Sequence, residues 1–190
     1  AIRHGETDLN KQGIVQGAGT DVPLNDTGRQ QAEDVAQRLA ELDVAVIFSS
    51  DMLRSQQTTE IINAALCRDV FFTPLLRETH YGEIEGMKSV DVDVDERYKH
   101  ICEQVDDLNN PNRYDVSFPG GESRNAVARR FLTCLQHINH HNKNVLLSSH
   151  GGILRSFSCI YNGPDEKIPN CGGLSFDLGE NGMPIDIRIF

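Results

Sequence analysis

The chain has 190 residues, and 28 Asp and Glu against 18 Lys and Arg give it a formal net charge of −10. That length suits one compact domain with a real core, since a chain near this size buries roughly 70% of its unfolded surface. No apolar run approaches the roughly 20 residues of a bilayer span, and an acidic chain without a basic stripe repels nucleic acid, so membrane and nucleic-acid partners are excluded.

Ala1-Ile2-Arg3 reads as the end of a truncated first strand, with His4 and Gly5 directly after it. Thr27-Gly28-Arg29-Gln30 has the form of a capping box. Apolar residues then recur at helical spacing from Ala32 to Leu42, so a helix is predicted over about 27–42. VAVIFSS at 44–50 is the β-branched run of a strand buried on both faces, and 52–66 follows as a helix. VFFT at 70–73 is a further strand, 74–90 a loop rich in Gly and charge, and the acidic stretch 91–108 a helix with a solvated face. Val127, Phe131, Leu135 and Ile138 share one face of the next helix, ahead of a strand at 144–149 and a helix over GILRSFSCIY. The tail changes character: GLSFDL, a turn around Asn181-Gly182, and alternating Ile185, Ile187 and Ile189 predict an antiparallel hairpin.

Alternating strands and helices imply an α/β fold, a three-layer αβα sandwich whose central sheet is mostly parallel, with the hairpin appended. Residues 1–190 read as one domain, with 74–121 as an insertion forming a lid over the substrate. The five cysteines are odd in number and lack C-x-x-C spacing. That usage suits reduced thiols, and with no visible signal peptide the expected location is cytoplasmic. No heptad pattern or exposed apolar stripe announces an oligomer.

In parallel sheets, ligands bind beyond the carboxyl ends of the strands. Four predicted strand exits carry candidate groups: Arg3 with His4, then Arg54, Glu78 and His150. Together they form a cationic pocket in an acidic protein. Arginine's planar fork matches phosphate oxygens, which makes Arg3 and Arg54 natural clamps. One histidine, unprotonated on the facing nitrogen, can attack phosphorus while the other donates to a phosphoryl oxygen. A carboxyl group beside a dianion can supply a proton to the leaving oxygen, a task for which Glu78 competes with Glu83 and Glu85 in the same loop.

The residues then carry a resemblance. IRHGETDLN is similar to the R-H-G-[ES]-T-x-x-N signature of the histidine phosphatase superfamily, and PLNDTGRQQA, SSDMLRSQQT, LLRETHYGEIEG, FPGGES and SSHGG follow in family order. The resemblance implies that His4 is phosphorylated in the intermediate, that Arg3, Arg54 and His150 complete the phosphate pocket, and that Glu78 is the proton donor. It also implies that Asn10 and Gly151 line the pocket, that Gln16 and Gly17 contact substrate, and that neither metal nor cofactor takes part. Leu9 stands where mutases of the family commonly carry tryptophan, and GEIEG with PGGES resembles the phosphatase branch. The expected activity is therefore hydrolysis of small phosphorylated metabolites. A phosphoglycerate mutase and a phospho-ligand binding module without turnover are the alternatives.

Other chemistries fail on spacing. DVDVDE at 91–96 begins like a calcium loop but has Glu96 where glycine is needed and Cys102 where a bidentate glutamate belongs. His137, His140 and His141 lack an acidic or thiol partner, so they read as helix-terminal cations, with no metal site. No cysteine has an arginine six positions later, and neither a P-loop nor a G-x-S-x-G elbow occurs.

Overall fold

A computed structural model describes residues 1–138 and 143–190 of the chain; His140 and His141 lie outside the described residues. Four parallel strands, β1 (Ile2–Arg3), β2 (Val44–Ser50), β3 (Val70–Thr73) and β4 (Asn144–Ser149), form a sheet in the order β1-β4-β2-β3. The long helices are α2 (Asp26–Leu39), α3 (Leu53–Leu66), α6 (Arg124–His137) and α7 (Gly151–Ile160); shorter ones are α1 (Asp8–Lys11), α4 (Ser89–Val94) and α5 (Lys99–Asp106). An antiparallel pair, β5 (Leu174–Leu178) and β6 (Pro184–Ile189), completes the fold. The predicted mainly parallel α/β architecture and its appended hairpin are thus present.

Alternation along the strands sorts the core into two layers. Ile47 and Leu146 face α2 and α3 and pack with Ala32, Val35 and Ile62, whereas Phe48 and Leu147 face α6 and α7 and pack with Phe131 and Phe157. Since all four strands pair in parallel, they exit towards the same rim. A third, smaller cluster is built by Ile84, Val92, Tyr98 and Ile101.

Three local expectations need correction. Asn25, rather than Thr27, caps α2: its side chain accepts from the Gly28 N–H, which starts the helix one residue earlier, at Asp26. The acidic stretch 91–108 is two helices, because the Asp95 side chain accepts from the Arg97 N–H and turns the chain between α4 and α5. In the hairpin, Asp186 takes a left-handed φ of 54°, and β6 gains one residue relative to β5. That bulge flips the alternation, so Ile187 and Ile189 pack on the core while Ile185 is exposed. His137 ends α6 with its Nδ1 2.6 Å from the Thr133 carbonyl oxygen.

Candidate active site

Both central strands end in Ser-Ser, and Ser49, Ser50, Ser148 and Ser149 are fully buried. Small hydroxyl side chains leave room at the rim for two large polar groups, Arg54 and His150, neither of which has any exposure. The hydroxyls satisfy one another and the backbone: Thr59 donates to Ser49 at 2.9 Å, and Ser149 donates to the Leu76 carbonyl at 2.8 Å.

His4 emerges from β1, 3% exposed. Its Nδ1 sits 2.7 Å from the Gly5 carbonyl oxygen, which can only accept, so Nδ1 carries the proton. Nε2 therefore presents its lone pair and accepts from the Arg54 Nε–H at 3.2 Å. Burial, then Arg54 and Arg3, hold this imidazole well below its ordinary pKa, against an upward pull from the Gly5 bond. The result is a neutral imidazole with one defined tautomer beside two cations.

Two of the four Nη–H groups of Arg54 go to backbone, Nη1 to the Thr20 carbonyl at 2.6 Å and Nη2 to the Gly17 carbonyl at 3.3 Å, which leaves two for a ligand. Those two bonds fix the guanidinium plane against the 16–21 loop. Arg3 donates through Nη1 to the Ile168 carbonyl at 2.8 Å, and its buried Nε has no partner among the described residues. The His150 ring lies 5.1 Å from that of His4, edge to face. Its Nδ1 is likewise buried and unpartnered, and burial, Arg54 and His4 lower its pKa well below the ordinary value.

Glu78 follows the strand β3 exit, and its carboxylate caps α7. Oε1 accepts from the Ile153 and Thr79 N–H groups, each within 2.9 Å, and Oε2 from the Gly152 N–H at 2.9 Å. Its two competitors are committed elsewhere. Glu85 accepts from Tyr81 and Gly19 backbone groups, and Glu83 from the Tyr98 hydroxyl.

A cavity of about 510 Å³ opens over this rim, lined at its deep end by Arg3, His4, Asn10, Gln16, Glu78 and Gly151. Asn10 both closes the cap of α1 with Thr7 and faces the cavity. Gln16 accepts from the Thr7 hydroxyl at 2.9 Å through Oε1, and its buried Nε2 has no partner. Gly17, Arg54 and His150 are absent from the lining: Arg54 reaches the site through His4 Nε2, His150 packs on the His4 ring, and Gly17 holds Arg54 through its carbonyl. Of the nine residues expected from the sequence, six line the cavity and these three support it.

Three further residues escaped sequence reasoning. Asn170 donates from Nδ2 to the His4 carbonyl at 3.1 Å and to Asn10 Oδ1 at 3.2 Å, tying the loop before β5 to the rim. Tyr81, half-buried, lines the cavity beside Glu78, with its hydroxyl pKa raised by desolvation and by that carboxylate. Ser50 lies 2.8 Å from His150 Nε2. Asn170 and Tyr81 sit in irregular segments with no periodic signal; Ser50 stood inside a recognised motif and was read only as strand.

Comparison with known proteins agrees with this geometry. Residues 1–174 match the model of the histidine phosphatase superfamily (branch 1). Phosphoglycerate mutase-like protein 4 of Arabidopsis thaliana is 38% identical over 161 residues, 82% of this chain and 66% of its own length. Fructose-2,6-bisphosphatase TIGAR B of Danio rerio is 33% identical over 185 residues, 95% of this chain and 64% of its own length, so the chain spans just under two thirds of either relative. Among solved structures, a mycobacterial glucosyl-3-phosphoglycerate phosphatase complexed with VO3 superposes with a TM-score of 0.82 at 24% identity, covering 99% of this chain and 94% of the other, a likeness of fold. A family model matched over nine tenths of the sequence, on a fold of the same architecture, leaves one assignment: the chain belongs to the histidine phosphatase superfamily.

Proposed function

We propose that this chain is a phosphomonoester hydrolase for small phosphorylated metabolites, working through a phosphohistidine on His4. The observation that carries the proposal is that three of the four buried side-chain polar atoms without a partner among the described residues, Arg3 Nε, Gln16 Nε2 and His150 Nδ1, belong to this site, around a neutral imidazole. A buried donor left unpaired costs about 1–3 kcal/mol, which a bound oxyanion recovers. Preorganised donors of this kind stabilise charge that develops in a phosphoryl transition state without reorganising during the reaction.

In the first step the His4 Nε2 lone pair forms a bond to phosphorus as the bond from phosphorus to the ester oxygen breaks. Glu78 gives its proton to that oxygen, and the free alcohol leaves. Arg3, Arg54, Gln16 and His150 hold the three equatorial oxygens. In the second step the Glu78 carboxylate accepts a proton from water as the water oxygen attacks phosphorus; the N–P bond breaks, and inorganic phosphate and the neutral imidazole are regenerated. No metal has a place in this sequence of steps, because the guanidinium groups supply the positive charge.

Residues 1–190 form one catalytic domain in this reading, and 74–121 is its substrate-specificity lid. Supporting that view, Glu78, Tyr81, Ile84, Val92 and Phe118 from the segment all face the cavity. Five free thiols support a reducing, cytoplasmic setting.

The test is a phosphate-release assay with wild type and His4→Ala side by side, followed by acid-labile labelling of the protein from a labelled ester. Release into water with label on His4 is the expected result. Phosphoryl return to an organic hydroxyl would establish the mutase alternative, and tight phosphate binding with no turnover would establish a binding module.

A further inference from the structure

The cavity is far larger than a phosphate group requires. At about 510 Å³ it falls within the roughly 300–1,000 Å³ typical of drug-sized ligands. Beyond the phosphate end its wall is formed by Ile14, Val15, Ile84, Val92 and Phe118. All but Ile14 belong to the small third cluster; Ile84 and Val92 are buried at its base, and half-buried Val15 and Phe118 carry most of the face it turns to the cavity.

The charged groups around the outer part of the cavity are mixed in sign. Glu6 and Asp93 contribute two carboxylates. Arg155, on the same lining, donates to Asp165 at 2.7 Å, a carboxylate it shares with Arg113 and Arg124, and Lys167 is exposed. Charge therefore does not select the body of the substrate, and the apolar wall does: hydroxyls laid directly against its aliphatic carbon would lack partners there.

We infer that the substrate is a phosphate ester whose alcohol has an apolar body, an alkyl or aryl group, laid against the face formed by Ile14, Val15, Ile84, Val92 and Phe118. This rests on the proposed function for the phosphate end. Each methylene placed on such a wall is worth about tenfold or more in discrimination.

Binding of non-hydrolysable phosphonates tests it without turnover. Titration calorimetry on the full chain compares hexylphosphonate with 2,3-dihydroxypropylphosphonate. Hexylphosphonate is expected to bind at least tenfold tighter. Phe118→Ala and Ile14→Asn, two independent changes to the wall, are each expected to shrink the hexyl preference at least threefold. Equal or tighter binding of the dihydroxypropyl ligand overturns the inference, as does a preference indifferent to both variants. Hexyl preference in a protein that hydrolyses no ester would instead overturn the proposed function and leave the wall's assignment standing.

Discussion

The Ser50 hydroxyl lies 2.8 Å from His150 Nε2 while accepting the Met52 N–H at 3.3 Å. The hydroxyl has one proton, and among the described residues His150 Nε2 is the acceptor in reach of it, so that proton points at His150. Nε2 is then the accepting nitrogen, Nδ1 carries the proton, and that proton is the unpartnered donor near His4. Ser50 is thus a positioning residue that sets a tautomer without touching substrate. Ser50→Ala is expected to lower kcat about tenfold, short of the 10²–10³ for losing a donor outright. KM and Tm should stay near wild type, Ser50→Thr should restore the rate, and the His150 Nδ1–H resonance should weaken in the alanine variant alone. An unchanged kcat in Ser50→Ala would remove the residue from the mechanism.

Both buried imidazoles have pKa values well below their ordinary range, with desolvation as the first cause. The unfolded chain, with histidine near 6.5, binds protons that the folded state refuses. Unfolding therefore takes up protons below that pH, and stability rises with pH through the window below 6.5 and levels off above it. Each histidine contributes a slope of up to about 1.4 kcal/mol per pH unit there. Urea unfolding between pH 5 and 7.5 is expected to show wild type weakening on the acid side. His150→Asn should flatten the slope; a variant as acid-sensitive as wild type would assign the effect elsewhere.

A proton donor matters in proportion to how badly the leaving group needs a proton. Glu78→Gln should reduce kcat for an alkyl phosphate by 10²–10⁴, the usual scale of general acid catalysis. For p-nitrophenyl phosphate, whose leaving oxygen departs as a stable anion, the loss should be under about tenfold. Glutamine also turns an amide N–H towards one of the backbone donors now bound by the carboxylate, so Tm should fall as well. The ratio between the two esters is insensitive to that destabilisation. Equal losses for both would move the acid role away from Glu78.

What the sequence revealed follows from how local each determinant is. Arg3, His4, Arg54, Glu78 and His150 were legible because parallel strands deliver their exits to one rim, and each sits just past an apolar run. Asn170 was not: it reaches His4 from 166 positions away, through a loop whose course depends on β1 and the hairpin. The break at Asp95 was missed for the opposite reason. A helix-compatible acidic pattern ran across it, and a single side chain to backbone bond prevailed. Likewise Asn25 displaced Thr27 as the cap because the chain enters α2 from a bond between the Asn25 N–H and the Glu6 carbonyl, a tertiary contact.

Gly151 and Gly152 separate the two halves of the site experimentally. A Cβ on Gly151 would lie 3.1 Å from Arg3 Nε and 3.2 Å from its Cδ, meeting only that side chain. Alanine in the first turn of α7 favours the helix by up to about 1 kcal/mol. Gly151→Ala should therefore hold or raise Tm while pushing the Arg3 guanidinium a few tenths of an ångström off the phosphate, raising the Kd for inorganic phosphate about tenfold. A Cβ on Gly152 instead overlaps the Tyr81 hydroxyl and comes within 2.6 Å of Glu78 Oε1. That variant should weaken phosphate binding little and lower kcat for alkyl esters sharply, with the p-nitrophenyl ester partly spared. If both substitutions impair phosphate binding equally, the anion site and the proton donor are not the separate functions assigned to them.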